Sequence, residues 1–374
     1  MKICHIITSI DQSGGGPSKS VCDLSIQLAQ QGLDIHLLTQ ASENPYIQTS
    51  PHKKLELHFV QGISFSLAIK QQLTQEHFDL LHSHGIWQMP VHYAAQLAKK
   101  NNIPYIISTR GMLEPWALNY KKWKKKLALW IYQNNDLKKA ACIHATGKME
   151  AQHIRQLGYT NPIAIIPNPI ELKEKKTYTN LKKEKKRLAF IGRLHKIKNI
   201  ESLMHAWTKI KNTQDWELVL VGDGEKNYVQ SLKQLVANLQ IQNILFTGFL
   251  AGEEKEKIMQ TLDFVVLPSF SENFGMVVGE ALQNEIPVIA STGTPWDDLQ
   301  KHQCGWWVNN DVETLSQTIQ QAIALSDEER QQMGQRGRKL IEEKYSVEIV
   351  ASQMIQLYEW ILKGGTKPEF VYEL

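Results

Sequence analysis

Phe264-Val-Val-Leu-Pro-Ser-Phe-Ser-Glu-Asn-Phe-Gly-Met-Val-Val-Gly-Glu-Ala-Leu282 passes from an apolar run, through a turn, into a helical pattern. Four apolar residues without alternation predict a strand buried on both faces. Glu272 then falls in the turn and Glu280 about two helical turns further on. A strand running directly into a helix is half of a parallel α/β unit. The same alternation extends in both directions. Before it, strands are expected at 3–7, 34–38, 55–60, 79–82, 105–108, 142–145 and 163–166, with helices at 17–31, 66–76, 91–101 and 120–136. Nearer to it, strands are expected at 188–191, 217–221, 244–246 and 288–290, with Gly192, Gly222 and Gly248 close behind three strands. The pattern predicts α/β architecture with two Rossmann-like, doubly wound parallel-sheet domains facing a central cleft, residues 1–168 and 169–346. The terminal segment 347–374 is expected to pack back on the first domain. Such sheets bind ligands beyond the carboxyl ends of their strands.

Composition narrows the chemistry. The 374 residues carry 42 Lys plus Arg against 38 Asp plus Glu, a net charge of +4. Most of that excess sits in two inserts, Tyr120–Lys139 with seven lysines against one acid, and Glu171–Arg187 with eight basic residues against three acids. The remainder is mildly acidic, unlike a chain that coats nucleic acid. No run approaches the ~18 apolar residues of a membrane span. The start, MKICHIITSIDQ, reads as a first strand and not a signal peptide. Cys4, Cys22, Cys142 and Cys304 have no paired spacing, which argues against a disulfide framework or a zinc site and for a reducing cytosol.

Five loops carry residues suited to chemistry. Glu272 and Glu280 flank a helix start whose Phe274, Gly275 and Met276 amides form an anion site, suiting a ligand with hydroxyls and phosphates. Gly192-Arg193-Leu-His-Lys-Ile-Lys198 supplies a guanidinium fork and a point charge for a diphosphate. Gly14-Gly15-Gly16 lets backbone approach a ligand, but it is not the dinucleotide fingerprint, and no acidic residue ends the second strand. His82-Ser-His84 puts two imidazoles on one side of a strand, with His84 nearest the loop. Thr109-Arg110-Gly-Met-Leu-Glu114-Pro-Trp116 aims Arg110 at the cleft and offers Glu114 and Trp116 to an acceptor. No P-loop, nucleophilic triad or Asp-x-Asp motif is present, so cations and amides, not a metal ion, must stabilise a leaving diphosphate.

These residues resemble those of the family 4 retaining glycosyltransferases of GT-B fold. The resemblance runs from the glycine loop to the last helix and is most specific in the Glu-x7-Glu spacing of Glu272 and Glu280. Thr109–Trp116, Gly293-Thr-Pro-Trp and Cys304-Gly-Trp-Trp-Val resemble a lipopolysaccharide, capsule or exopolysaccharide subgroup. The resemblance implies a donor site in which Arg193 and Lys198 hold the diphosphate and Glu280 the ribose. Glu272, with the amides after Asn273, would hold the transferred sugar; Gly15 and Gly16 approach the donor, and Gly248 and Phe249 lie against its base. His84 corresponds to a sugar-contacting histidine. The family uses no metal or other cofactor. Ile166-Pro-Asn-Pro169 departs from the Pro-Asn-Gly of many members.

The expected function is transfer of a sugar from a nucleoside diphosphate sugar to a hydroxyl of a glycan or lipid-linked glycan, with retained configuration. His84, Arg193, Lys198 and Glu272 would be the catalytic set. Residues 120–132 mix lysines with Trp123, Leu127, Leu129, Trp130 and Tyr132. They read either as a cationic helix lying on an anionic membrane or as a solvated helix with its aromatics packed inward. A cytoplasmic protein, peripheral on the inner face of the membrane, fits the first reading. Alternatives are another GT-B activity, such as a nucleotide-sugar epimerase or a sugar phosphorylase, and, less well supported, nucleic-acid binding through the lysine runs.

Overall fold

A computed structural model describes residues 1–60, 70–71, 73–174 and 184–372. Part of the expected helix at 66–76 and most of the second lysine-rich insert lie outside the described residues. The chain divides into two compact units, Met1–Glu171 with Ser346–Leu374, and Leu172–Tyr345.

The first unit holds β1 (Lys2–Ser9), β2 (Asp34–Gln40), β3 (Leu55–Val60), β4 (Leu80–His84), β5 (Tyr105–Ser108), β6 (Cys142–Ala145), β7 (Ile163–Ile165) and β14 (Val371–Tyr372). Their order in the sheet is β3-β2-β1-β4-β5-β6-β7-β14; only β14 runs antiparallel to its neighbour. Parity along each strand divides the core. Cys4, Ile6, Leu81, Ile107 and Ile143 join one apolar cluster, and Ile3, Ile7, Leu80, Ile106 and Cys142 the other. Both faces are therefore dry, which is why these strands carry almost no polar alternation.

The helix Val347–Lys363 closes the second of those faces. Its buried stripe Val350, Ala351, Met354, Leu357 and Tyr358 packs with Val21, Leu24 and Leu28 of the helix Gly16–Gln30. Ser346 caps it by accepting from the Ile349 amide, and Gly364 ends it at φ 71°. The expected helix at 120–136 is present from Lys122 to Lys139, with only its first two residues outside it. Tyr120 is extended and Lys121 left-handed, separating Pro115–Asn119 from Lys122–Ala128, and a π-helical turn, Leu129–Gln133, precedes Asn134–Lys139.

The second unit holds β8 (Lys186–Ile191), β9 (Trp216–Val221), β10 (Ile244–Gly248), β11 (Phe264–Leu267), β12 (Val288–Ser291) and β13 (Gly305–Val308), all parallel, in the order β10-β9-β8-β11-β12-β13. The strand β13 was not read from the sequence; it is a half-buried edge strand opening on Gly305, unlike the fully buried runs of β11 and β12. Backbones press closely together beyond β8 and β9. A Cβ on Gly222, which has φ 142°, would lie 1.9 Å from the Gly192 carbonyl oxygen. Gly222→Ala combines that clash with a strained dihedral, so it should cost at least about 2 kcal/mol. A urea midpoint equal to wild type would show that the two loops can part freely.

Candidate active site

Each sheet has one place where its strand order reverses: between β8 and β11 in the second unit, and between β1 and β4 in the first. Loops leaving the carboxyl ends of such a strand pair diverge and leave a hollow. Four of the five singled-out loops leave these strands; the fifth, Thr109–Trp116, leaves β5 next to β4.

In the second unit Gly192 and Arg193 follow β8, and a short 3-10 turn, Lys196–Lys198, comes next. His195 Nδ1 accepts from the Ile197 amide at 3.2 Å to begin the turn, and left-handed Asn199 ends it. The loop after β11 is stitched to this turn by the Phe270 amide, which donates to the Ile197 carbonyl at 2.8 Å. Ser269 is fully buried. Its carbonyl accepts from Ser291 at 2.5 Å and Asn310 at 3.3 Å, and its hydroxyl donates to Glu272 Oε1 at 2.7 Å. The Lys198 ammonium donates to the same carboxylate oxygen. The structure thus joins Lys198 and Glu272, which 74 residues separate. Glu280 meets Lys255 Nζ at 2.7 Å instead, a partner that nothing in the motif signalled.

Between the two glutamates, Gly275 is left-handed at φ 78° and the helix Met276–Gln283 starts without a side-chain cap. Its first amides consequently have no partner within the helix. Phe274 is buried, with Trp296 Nε1 donating to its carbonyl at 2.5 Å, while Asn273 and Met276 are half-buried. Arg193 is exposed and makes no hydrogen bond or ion pair with a described residue. Gly248 ends β10 at φ 75°, and Phe249 beyond it is 73% exposed.

In the first unit, left-handed Gly15 (φ 71°) and Gly16 form the start of the helix Gly16–Gln30. His82 and His84 share a face of β4, as parity requires, but neither meets solvent. Arg110 also differs from expectation. It does not project outward; its side chain is buried among Asn168, Ser20 and His84. Glu114 is buried, with a carboxylate oxygen 2.5 Å from His153 Nδ1, and burial raises its pKa. Trp116 is exposed and stacks on Tyr120.

Arg110 begins a hydrogen-bonded chain through the core. Its Nη2 reaches His84 Nδ1 at 2.9 Å, and His84 Nε2 reaches His5 Nδ1 at 3.0 Å. His5 Nε2 meets the Tyr358 hydroxyl at 3.1 Å, which meets His82 Nδ1 at 2.8 Å. His82 Nε2 reaches Ser108 Oγ at 2.7 Å, Ser108 reaches His144 Nδ1 at 2.6 Å, and His144 Nε2 reaches the Ile166 carbonyl at 2.8 Å. A guanidinium only donates and a carbonyl only accepts. Both ends therefore assign the same direction: each histidine is neutral, protonated on Nε2, and each hydroxyl donates once and accepts once. One added proton anywhere would set two donors face to face. Burial lowers the pKa of all four histidines, those of His5 and His144 to about 3. His5, His82 and His84 bring ring nitrogens within 4.8 Å of one another, but all six are committed to this chain and none offers a free lone pair to a metal.

Sequence reading missed His5, His144, Tyr358 and Asn168. The available signal was a histidine recurring at buried parity in the otherwise apolar strands β1, β4 and β6.

Two family models match in tandem, Glycosyltransferase Family 4 over residues 14–174 and Glycosyl transferases group 1 over 172–340. The chain belongs to the family 4 glycosyltransferases. It is 26% identical over 376 residues to an N-acetyl-alpha-D-glucosaminyl L-malate synthase of Bacillus anthracis, covering 94% of this chain and 95% of that protein. It is 23% identical to an uncharacterized 41.2 kDa protein in the cps region of Klebsiella pneumoniae, covering 78% and 81%. Among solved structures, Anabaena HepE in complex with UDP and glucose superposes with a TM-score of 0.75 at 18% identity, over 96% of this chain and 99% of that one. The fold of the transferase is GT-B.

The neutral histidines have a consequence for stability. An unfolded histidine takes up a proton near pH 6.5, whereas His5 and His144 resist down to about 3. Below pH 6.5 the unfolded transferase binds more protons, so stability is full above that pH and falls as pH drops, by up to about 1.4 kcal/mol per pH unit for each histidine. Urea midpoints should fall steeply from pH 7 to 5.5, and a flat profile there would contradict the assigned chain. Tyr358→Phe, which strands His5 and His82, should cost about 1–3 kcal/mol at pH 7.5.

Proposed function

We propose that the transferase moves a sugar from a nucleoside diphosphate sugar to a hydroxyl of a glycan or lipid-linked glycan in bacterial surface polysaccharide assembly, with retained anomeric configuration and no metal. The supporting observation is Lys198, from the loop after β8, paired with Glu272, from the loop after β11, where the strand order reverses. A diphosphate competes with Glu272 for that ammonium. As Lys198 turns to the phosphates with exposed Arg193, the Glu272 carboxylate accepts from hydroxyls of the transferred sugar. Glu280, held by Lys255, takes the ribose hydroxyls, and the helix-start amides at 274–276 add donors to the leaving group. Gly248 and Phe249 border the base. Gly15 and Gly16 supply backbone to the donor, and exposed Trp116 serves the acceptor. The expected direct contacts of His84 and Glu114 do not hold, since both are buried and His84 has each ring nitrogen hydrogen-bonded within the core. Arg110, being buried, positions His84.

In the reaction the bond from the anomeric carbon to the phosphate oxygen breaks as the acceptor oxygen bonds to the same face. The acceptor proton passes to the departing phosphate oxygen. Negative charge grows on the diphosphate, where Arg193 and Lys198 are already placed. The cps-region relative supports a polysaccharide acceptor, and the UDP complex of the structural neighbour supports a nucleotide donor. Screening UDP-, GDP- and other nucleotide sugars by thermal shift would identify the donor. With it, Lys198→Ala and Glu280→Ala should each lower transfer by at least about a hundredfold while melting within a few degrees of wild type. Near-wild-type turnover in either variant would remove that residue from the donor site.

The Lys-Trp segment supports a membrane-bound acceptor at the inner face of the cytoplasmic membrane. Most of its large side chains do not pack inward: Trp123 is 68% exposed and Trp130 82%, with Tyr120, Leu127 and Ile131 also exposed among five lysines. Leu129, by contrast, is half-buried, and Tyr132 turns in to donate to the Trp87 carbonyl at 2.7 Å. Aromatics enter the interface while lysines meet anionic headgroups. No helix among the described residues is long and apolar enough to cross a membrane. The transferase should float with vesicles containing anionic lipid and not with neutral ones, and Trp123→Ala with Trp130→Ala should abolish flotation. Absence of flotation with anionic vesicles would refute the membrane role, and equal recovery with both types would remove the part given to the lysines.

A further inference from the structure

On the opposite face of the first sheet from the histidine chain, two strands and a neighbouring loop converge four side chains that the transfer reaction does not use. His36 lies on β2 and is directly paired in register with Glu56 of β3; His58 follows two residues along β3 on the same face. Glu76 approaches from the segment before β4. His36 Nδ1 lies 2.8 Å from His58 Nε2, 3.7 Å from Glu56 Oε2 and 3.6 Å from Glu76 Oε2, and His58 Nε2 lies 3.5 Å from Glu56 Oε1. One ligand atom from each of the four residues falls within 4.8 Å of all the others.

We propose that His36, Glu56, His58 and Glu76 form a binding site for a divalent transition-metal ion, with zinc as its best match. Zinc takes nitrogen and oxygen ligands at about 2.0–2.2 Å in a tetrahedron, so ligand atoms around it stand roughly 3.3–3.5 Å apart. The spacings of 2.8–3.7 Å among His36, His58 and Glu56 and between His36 and Glu76 bracket that value, and Glu76 lies within 4.8 Å of the other two, so side-chain adjustment closes the set. Two imidazole nitrogens and two carboxylates are also the donor types zinc favours.

The surroundings match a metal site as well. His36 is 97% buried, and its ring stands edge-on to Phe78, which fixes its plane. Its other nitrogen, Nε2, lies 3.7 Å from Asp34 Oδ1, too far for a hydrogen bond but where a carboxylate can close on a metal-bound imidazole. Asp34, Glu56 and Glu76 against the single ammonium of Lys2 give a local charge of −2 when the histidines are neutral, which one divalent cation cancels. Lys2 pairs with Glu76 and holds its carboxylate below the ordinary pKa, hence ionised. A carboxylate has lone pairs enough for an ammonium and a metal together. Glu56, more than half exposed, gives the ion a way in from solvent.

This site shares no residue with the donor machinery and stands or falls independently of the proposed reaction. The test uses the tag-free full chain, stripped with EDTA and titrated with zinc chloride. Wild type should take up one equivalent that survives desalting and raises its melting temperature. With cobalt in place of zinc it should show the intense visible bands of a tetrahedral ion. His58→Gln and Glu56→Gln should each weaken uptake at least about tenfold while the metal-free variants melt as metal-free wild type does. Absence of stoichiometric uptake by wild type, or undiminished uptake by the double variant, would overturn the assignment. An octahedral cobalt spectrum would overturn the tetrahedral site equally.

Discussion

Seven hydrogen bonds, all running in one direction, tie the end of β5 to the middle of the last helix and back to the chain beyond β7. A buried polar group without a partner costs free energy on the order of a lost hydrogen bond or more. In the first unit the sheet is dry on both faces, so each imidazole near the carboxyl ends of its strands needs two partners from the protein. Every nitrogen finds one. The chain is closed at one end by a group that can only donate and at the other by one that can only accept, so a single arrangement of protons satisfies it. The histidines therefore hold Arg110 in place as neutral donors and acceptors. A cation among them would break the sequence of bonds that fixes the guanidinium.

The second unit reaches fixed geometry by backbone proximity instead. Gly192, Gly222 and Gly224 let the loops after β8 and β9 press together, with the carbonyls of Gly192 and Leu194 in the space where Cβ atoms would stand. Gly293 does the same beside Ser269 and Phe270. These approaches let one backbone bond, Phe270 to Ile197, and one ion pair, Lys198 to Glu272, join loops from strands on either side of the reversal. The charge balance follows: the Glu272 carboxylate is held by the Lys198 ammonium, so neither is left uncompensated in a half-buried loop.

The fold was legible because its strongest signal is simple. Strands buried on both faces appear as short, unbroken apolar runs, and Phe264–Leu267 was read to the residue. The site was legible in parts, since loops after such strands are where chemistry collects. What sequence could not give was pairing across distance. Nothing local links His82 to Tyr358, 276 residues away, or Glu280 to Lys255. Arg110 was misjudged for the same reason. A lone arginine after a strand is ordinarily solvated, and only Asn168, Ser20 and the histidines together show why this one is buried. The strand β13 escaped because it opens on a glycine and is only half-buried at the sheet edge, and left-handed Lys121 because a single residue leaves no periodic trace.

The buried chain and the exposed cationic segment meet in the residues after β5. Glu150 accepts from the Thr109 hydroxyl at 2.6 Å, the Gly111 amide at 2.5 Å and the Thr146 amide at 2.8 Å, so one buried carboxylate pins both sides of Arg110 to the helix Lys148–Gln156. Glu114 is held against His153 of the same helix, and within two residues the chain emerges at Trp116. From there it continues through Tyr120, Trp123 and Trp130 with their lysines. The segment is thus rooted in a rigid loop, not loosely appended. If the bilayer takes up those aromatics, it fixes the position of the very loop that carries Arg110 and Glu114. An acceptor arriving along the membrane would then meet residues whose placement is set on one side by a dry polar core and on the other by lipid.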